Sequence, residues 1–538
     1  MTTNLSSPNH TVRRNQQGGT LVSVIAVMLI VGVLGVSLIS FTQTSEHSYL
    51  SANAGSRAYY LAESGLRYAQ QIYCSEGWLH ARQRTLSLQG GEQVDVVRIG
   101  GNFWATALVD AGTAQQARDR VPMPLSLCGE DPGADPVDEF AVFGEVGISL
   151  GTNTVIQGDV AITDNDVAIR GDVLGSVLAN DVDLTGLGTV FGDIYAAGQV
   201  DVTRGTVAGD IHAAGGISVT SAESVVEGWL FSNGTIDIGG GGTVLGHIHA
   251  CGADVYIGGN GTVIGTVADP IEIRTTGSVY LSGSAVVTGV VYAGAGIQMT
   301  GTASIDGDAY AGGAISKGSN NSITGKALQF SPTYLEDPIC PYLANLEDLN
   351  LPDAAVFTAG GADIKVPSGT ASVPTHYVLP PGTYGDLASP NNPQGHTRLY
   401  LNAGSMAHGN YYFDSVSFGS KTALYLNLSG TYDIRIFVKL NVSIASDLTV
   451  YVSTDGTAYL PMFDAAIDSQ VAARVYWETH GDFSLGSGSN FFGSVYTPTK
   501  NLSVGNTSYL IGSYFSGGGH NIVGSTVVHV APNYFAPD

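Results

Sequence analysis

Positive charge is scarce in this chain. It has 21 Lys and Arg against 46 Asp and Glu in 538 residues, a formal net charge of −25. That balance argues against nucleic acid and against anionic membrane surfaces as partners. Charged residues of both signs make up only 12%, while apolar residues make up 44%. The chain is therefore not a disordered acidic tail. Cysteine is sparse too: Cys74, Cys128, Cys251 and Cys340 include no CxxC pair, which argues against a zinc site. P-loop and HExxH motifs are missing, so these signatures of nucleotide and zinc-protease chemistry do not apply. What abounds is Gly, 72 residues of it. With many Val, Ile, Ser and Thr, that composition suits short strands joined by tight turns. The length exceeds one ordinary core, so several domains or a repeat array are expected.

Long apolar runs are also rare, and the one that stands out is near the start. Residues 16–41, "QQGGTLVSVIAVMLIVGVLGVSLISF", carry no charge and follow Arg13 and Arg14. The run is long enough to span a bilayer as a helix, and the two arginines put its start on the cytoplasmic side. A secretory signal peptide has its small-residue cleavage site after the apolar core; here Gly18 and Gly19 come before it. Beyond the run, Tyr49, Ala52, Tyr59, Ala62, Leu66, Ala69 and Ile72 recur at three- and four-residue spacing, so one long helix is expected from Thr20 to Tyr73. Glu63 and Arg67 form an i,i+4 pair on it. Residues 80–127 alternate like strands and predict a small sheet packed on that helix.

The inverted order of small residues and apolar core resembles the class III leader of type IV pilins. The run from Gly18, followed by "SRAYYLAESGLRYAQ", is similar to the amino-terminal region of PilX-type minor pilins, over about the first 70 residues. The resemblance implies cleavage by a prepilin peptidase between Gly19 and Thr20, with Gly18/Gly19 as the alternative bond, and methylation of the new amino terminus. Major pilins carry Glu at mature position five, where this chain has Val24. That departure fits a minor or tip subunit better than a main filament subunit. The plainer alternative is a signal-anchor protein with one transmembrane helix.

From about Ala141 a unit of Gly, any residue and an apolar residue keeps returning. Its glycines are Gly158, Gly171, Gly192, Gly209, Gly228, Gly246, Gly265, Gly289, Gly307 and Gly325, most often 17 to 19 residues apart. Two places on stand Val160, Val173, Ile194, Ile211, Leu230, Ile248, Val267 and Val291, then Ala309 and Ala327. Four places on, small residues recur: Ala196, Ala213, Ser232, Ala250, Ala293 and Ala311. In a strand these two positions share a face, so each turn of chain puts an aliphatic and a small residue inside. Gly would serve the positive φ of sharp corners. The pattern predicts a β-solenoid, most simply a right-handed parallel β-helix. It returns at Gly493/Val495 and Gly512/Tyr514, and Pro332, Pro338, Pro341 and Pro352 separate the two blocks.

The expected fold class is mainly β: a long pilin-like N-terminal helix, a small α+β region, then a parallel β-helix ectodomain. The expected segments are 1–19 leader peptide, 20–73 transmembrane and pilin-type helix, 74–130 small α+β region, 131–330 parallel β-helix, 331–355 Pro-containing linker and 356–538 second solenoid-like block. If the chain is exported, disulfides become available. Cys74 with Cys128 is the favoured pair; the alternative is that all four cysteines are small buried hydrophobes.

Three columns of the repeat are candidate sites. Position three after the repeat Gly gives Tyr195, His212, Phe231, His249, Tyr292 and Tyr310, then Tyr496 and Phe515. Alternation points this column outward, so Tyr195, Phe231, Tyr292 and Tyr310 could form a ligand-binding ladder, unless a loop, the linker or the other block covers it. His212 and His249 are two turns apart, roughly 9–10 Å, too far for one metal whose ligands sit about 2.0–2.1 Å away. Asp159, Asp172, Asp193 and Asp210 each follow a repeat Gly. Asp193 and Asp210 are weak Ca²⁺ candidates, a carboxylate pair would also suit glycoside hydrolysis, and Asp beside Gly is ordinary turn chemistry. No other cofactor is indicated.

These expectations converge on a non-enzymatic, PilX-like surface protein, incorporated in or priming a type IV pilus for assembly or adhesion. Its implied partners are the prepilin peptidase, other major and minor pilins, the inner membrane before assembly, and surface glycans or host and abiotic surfaces. The bulk of the chain would lie in the periplasm, then at the cell surface. The rivals are a membrane-tethered β-helical polysaccharide-degrading enzyme, a type II secretion pseudopilin, and an anchor that polymerises through its solenoid ends.

Overall fold

The computed structural model describes residues 140–330, 338, 340, 349, 351–370, 373–391, 397–402, 408–430 and 433–532, with four earlier strands. The chain divides into two compact units, Met1–Pro132 and Gly133–Asp538. Gly18, Gly19, Thr20, the expected helix to Tyr73, Cys74 and Cys128 lie outside the described residues. In the first unit β1 (Gln83–Ser87), β2 (Gln93–Ile99), β3 (Asn102–Val109) and β4 (Ala117–Pro124) form an antiparallel meander. The alternating stretches at 80–127 are thus strands. β4 is an edge strand, the place where Pro122 and Pro124 are tolerated.

The second unit is a parallel β-solenoid. Each rung lays one strand on each of three faces. Sheet I includes Val155–Gln157 and Asp172–Val173, sheet II Asp159–Ile162 and Val177–Ala179, and sheet III Asp166–Ile169 and Asp181–Leu184. Neighbouring rungs pair parallel and in register on every face: Val177↔Ile194↔Ile211↔Leu230↔Ile248 on sheet II is one example. Apart from Val177 these are residues of the expected aliphatic column, and all five are buried. The small residues Ala196, Ala213, Ser232 and Ala250 form the second inward column beside them.

Three members of the expected column sit elsewhere. Val173 points inward on sheet I, and the residue that occupies its rung on sheet II is Val177, after Gly175. Val267 is 85% exposed; it lies in a loop, and Ile273 takes the inward place above Ile248. Ala327 is exposed on the terminal strand. Gly158, Gly265, Gly289 and Gly307 have the expected positive φ, but others of the column are glycine for a different reason. Gly192, Gly209, Gly228 and Gly246 are absent from the positive-φ residues. They stack directly above Gly175 and one another, and a Cβ on Gly246 would stand 2.0 Å from the Gly228 carbonyl oxygen. Backbone passing over backbone, rather than turn conformation, requires glycine there.

The two blocks are one stack. The rung Phe140–Gly144, Gly147–Leu150 and Val155–Gln157 pairs on one side with the rung that follows it. On its other side it pairs with the last rung of the chain, Tyr514–Ser516, Gly519–Ile522 and Thr526–Val528. The chain climbs from Phe140 to Leu328, then resumes at the far end at Ile364–Lys365 and climbs back to meet its own beginning. Sheet III therefore runs unbroken through seventeen strands, from Ile364–Lys365 to Ile315–Lys317. In the second block sheet IV replaces sheet I, with strands Thr375–Leu379, Thr397–Asn402, Ala423–Asn427 and Thr449–Ser453; sheet I resumes at Asn490–Phe492.

Candidate functional site

Register brings the expected aromatic column together. On the outward side of sheet II, Tyr195, His212, Phe231 and His249 occupy successive rungs, followed by Arg274, Tyr292 and Tyr310. Ring centroids are 5.0 Å apart for Tyr195–His212, 4.6 Å for His212–Phe231 and 5.1 Å for Tyr292–Tyr310. The column continues through the seam as Phe143, Phe515 and Tyr496 to Glu478, Phe437 and Tyr412.

This ladder is not exposed. Tyr195 is 2% exposed, Phe231 7% and Tyr310 9%, and Tyr292 is partly buried. Several described residues after Leu328 make contacts with the solenoid. Cys340 is disulfide-bonded to Cys251, with Cα atoms 5.5 Å apart. Pro352 accepts a hydrogen bond from the Tyr496 hydroxyl at 2.5 Å. Phe357 packs on Tyr412, Phe437 and His480 at 5.0–5.9 Å. The Ala355 amide donates to Glu478 at 2.7 Å. That carboxyl group is fully buried and also accepts from Tyr476 Oη at 3.0 Å and meets His480 Nε2 at 2.9 Å, the hydrogen bonding a buried polar group needs. Pro352, Ala355 and Phe357 thus pack on the second-block part of the column, from Tyr496 to Tyr412.

The aspartates serve the backbone. Asp193 Oδ1 accepts from the Asp210 amide and Asp210 Oδ1 from the Trp229 amide, each at 2.8 Å. Asp159 bonds the Ser176 amide, Asp172 the Thr189 amide and Asp308 the Lys326 amide in the same way. Each carboxylate ties its rung to the next. Tyr195 and Tyr310 donate to the second oxygens of Asp193 and Asp308 at 2.9 Å. Among the described residues, no three His, Cys, Asp or Glu side chains are grouped as a metal site.

Sheet III shows a different outer surface. Ser417, Ser443, Ser484, Ser503, Asn521 and Ser149 stack in register, then Asp183 and Asp201 face each other, and Tyr256 stacks on Tyr280 at 4.7 Å. Burial, together with the charges of Asp201, Asp166 and Asp181, pushes the Asp183 carboxyl up. Tyr256 is 41% exposed. Neither this surface nor a tyrosine ladder on sheet IV was expected from the sequence. The signal for the second was present: "RLYLN" at 398–402 and "ALYLN" at 423–427 are one repeat, but its period is longer than that of the Gly unit.

No protein-family model and no curated protein matches the chain. Three solved structures are reported as similar. An ice-binding protein from an Antarctic Flavobacteriaceae bacterium is 12% identical, with 74% of this chain and 98% of that one covered and a TM-score of 0.19. The tapirin C-terminal domain of Caldicellulosiruptor kristjanssonii is 12% identical, with 74% and 94% covered and a TM-score of 0.29. The competence-associated pilin ComZ of Thermus thermophilus is 10% identical, with 89% and 92% covered and a TM-score of 0.19. At such identities and scores these likenesses carry no functional argument.

Proposed function

We propose that this protein is a minor pilin-like surface protein that displays a β-solenoid head, in a binding role rather than a catalytic one. In this reading a prepilin peptidase cuts after Gly19, the apolar run from Thr20 anchors the chain in the inner membrane, and other pilins receive it into a type IV pilus. The observation that carries the display role is the unbroken sheet III, seventeen parallel strands in register. Its outward residues repeat at one rung spacing, about 4.8 Å, which gives a rigid and extended contact surface. The order of Gly18, Gly19 and the apolar run supports the pilin part.

The test is the amino terminus of the mature protein, read by mass spectrometry of membrane and sheared-surface fractions. A methylated Thr20 start in the sheared fraction is expected. An intact Met1 found only in membranes would overturn the pilus reading.

A further inference from the structure

Sheet IV carries an aromatic platform of its own. Tyr400, Tyr425 and Tyr451 hold the same outward position on successive strands. Their ring centroids are 4.4 and 4.7 Å apart, with planes 22° and 9° from parallel. His376 stacks on the far side of Tyr400 at 5.6 Å, and its Nδ1 lies 2.9 Å from the Tyr400 hydroxyl. The faces of Tyr400 and Tyr425 are thus taken, and only their edges remain.

Tyr459 meets those edges. It lies 5.5 Å from Tyr400 at 87° and 5.4 Å from Tyr425 at 71°. Because neither ladder ring has a free face, Tyr459 must receive both edges on one face of its own ring. Its other face is turned away from the ladder, and the residue is partly exposed. The loop before it is held in place. Asp455 accepts from the Thr457 amide at 2.8 Å, the Ala458 amide at 2.9 Å and the Thr457 hydroxyl at 2.7 Å, and Ser453 donates to it at 3.1 Å. Such a loop presents an aromatic ring at little cost in ordering on binding. The Arg398 guanidinium lies 5.9 Å from the Tyr425 ring.

The chemistry narrows the occupant. A net charge of −25 repels polyanions. A rigid tyrosine face offers apolar stacking area with a hydroxyl at its tip. A neutral polysaccharide presents the complement, apolar C–H faces bordered by hydroxyls. We propose that Tyr459, seated on the Tyr400–Tyr425–Tyr451 ladder beside Arg398, is a stacking subsite for a neutral polysaccharide chain. This gives a ligand class to the adhesive role and stands whether or not the chain enters a pilus.

The experiment is affinity electrophoresis of the detergent-solubilised full-length protein through gels containing mixed-linkage β-glucan, dextran, galactomannan or polygalacturonate. Retardation by at least one neutral polymer is expected. Tyr459→Ala should weaken it roughly tenfold, as for loss of one aromatic contact, and Tyr459→Trp should keep it. Unchanged melting of both variants would show that the fold is intact. No retardation by any neutral polymer, retardation by polygalacturonate alone, or equal binding of Tyr459→Ala would overturn the proposal. So would a platform that retains only a second protein and no glycan. A failed Thr20 assay would not bear on it, because the two readouts are independent.

Discussion

The two blocks of the solenoid solve one packing problem in opposite ways. Between Phe140 and Leu328 the rungs are narrow, and the interior is filled by Val, Ile and Ala with glycines stacked at the corners. Between Ile364 and Val528 the interior takes Leu424, Leu426, Phe413, Phe418, Trp477, Phe483 and Phe491. The sheet II residues Thr383, Tyr412, Phe437 and Glu478 still stack in register although 29, 25 and 41 residues separate them. A narrow rung has no room for side chains at its corners, so backbone stacks on backbone. A wide rung must fill its interior with aromatic volume, and it tolerates long loops because only the strands have to register.

The largest expected effects follow from that contrast. Gly307→Val puts a Cβ 1.8 Å from the Gly289 carbonyl oxygen, which no rotamer relieves. A loss above about 4 kcal/mol is expected, measured by denaturant unfolding. Gly147→Ala meets no atom within 4 Å and should change little. Equal effects at the two sites would mean that the stacked corner is more elastic than its geometry implies. In the wide block the sensitive residue is Trp477, 1% exposed and 5.7 Å from Phe491. Trp477→Ala should cost about 3–5 kcal/mol, while Ile194→Val in the narrow block should cost about 0.5–1.5 kcal/mol.

The seam between the blocks supplies the next effect. His520 stands in the inward column between Leu502 and Ile148. It donates from Nε2 to the Phe143 carbonyl at 2.6 Å, across the seam, and its Nδ1 has no partner among the described residues. Burial pushes its pKa down to about 4, partly opposed by the bond to Phe143. The unfolded chain binds the proton more readily, near about 6.5. The stability tied to neutral His520 is therefore full above about pH 6.5 and is lost as pH falls toward 4, at most about 3 kcal/mol. His249, lowered to about 3 mainly by its burial, adds a loss of the same sign. His520→Leu should flatten the acid limb of a melting-temperature profile; an unchanged limb would place the acid sensitivity elsewhere.

The narrow block was legible in the sequence because its rungs are nearly equal, so Gly, aliphatic and small residues recur in phase. Where a loop intrudes the phase fails, as at Val267 and Ile273. The wide block was harder to read because its strands are in register in space but not in sequence. The outward ladder from Tyr195 to Tyr310 could be read from alternation, but its burial could not. Chain far along the sequence returns to this block through a Cys251–Cys340 bridge with a separation of 89 residues. Cysteine spacing does not reveal such a return.

The smallest effect separates two roles for the aspartate column. Asp210 Oδ1 accepts the Trp229 amide of the next rung at 2.8 Å. An Asn keeps that acceptor and an Ala does not. Asp210→Ala should therefore cost about 1–3 kcal/mol, while Asp210→Asn should stay close to the native melting temperature. Chelator and added Ca²⁺ should leave both unmoved. If instead Asn falls as far as Ala and Ca²⁺ raises only the native protein, the charge matters and the aspartates hold a cation. The opposite result makes the column a set of rung-to-rung staples, and it accounts for why the narrow block, with so little interior volume, keeps an Asp beside so many of its stacked glycines.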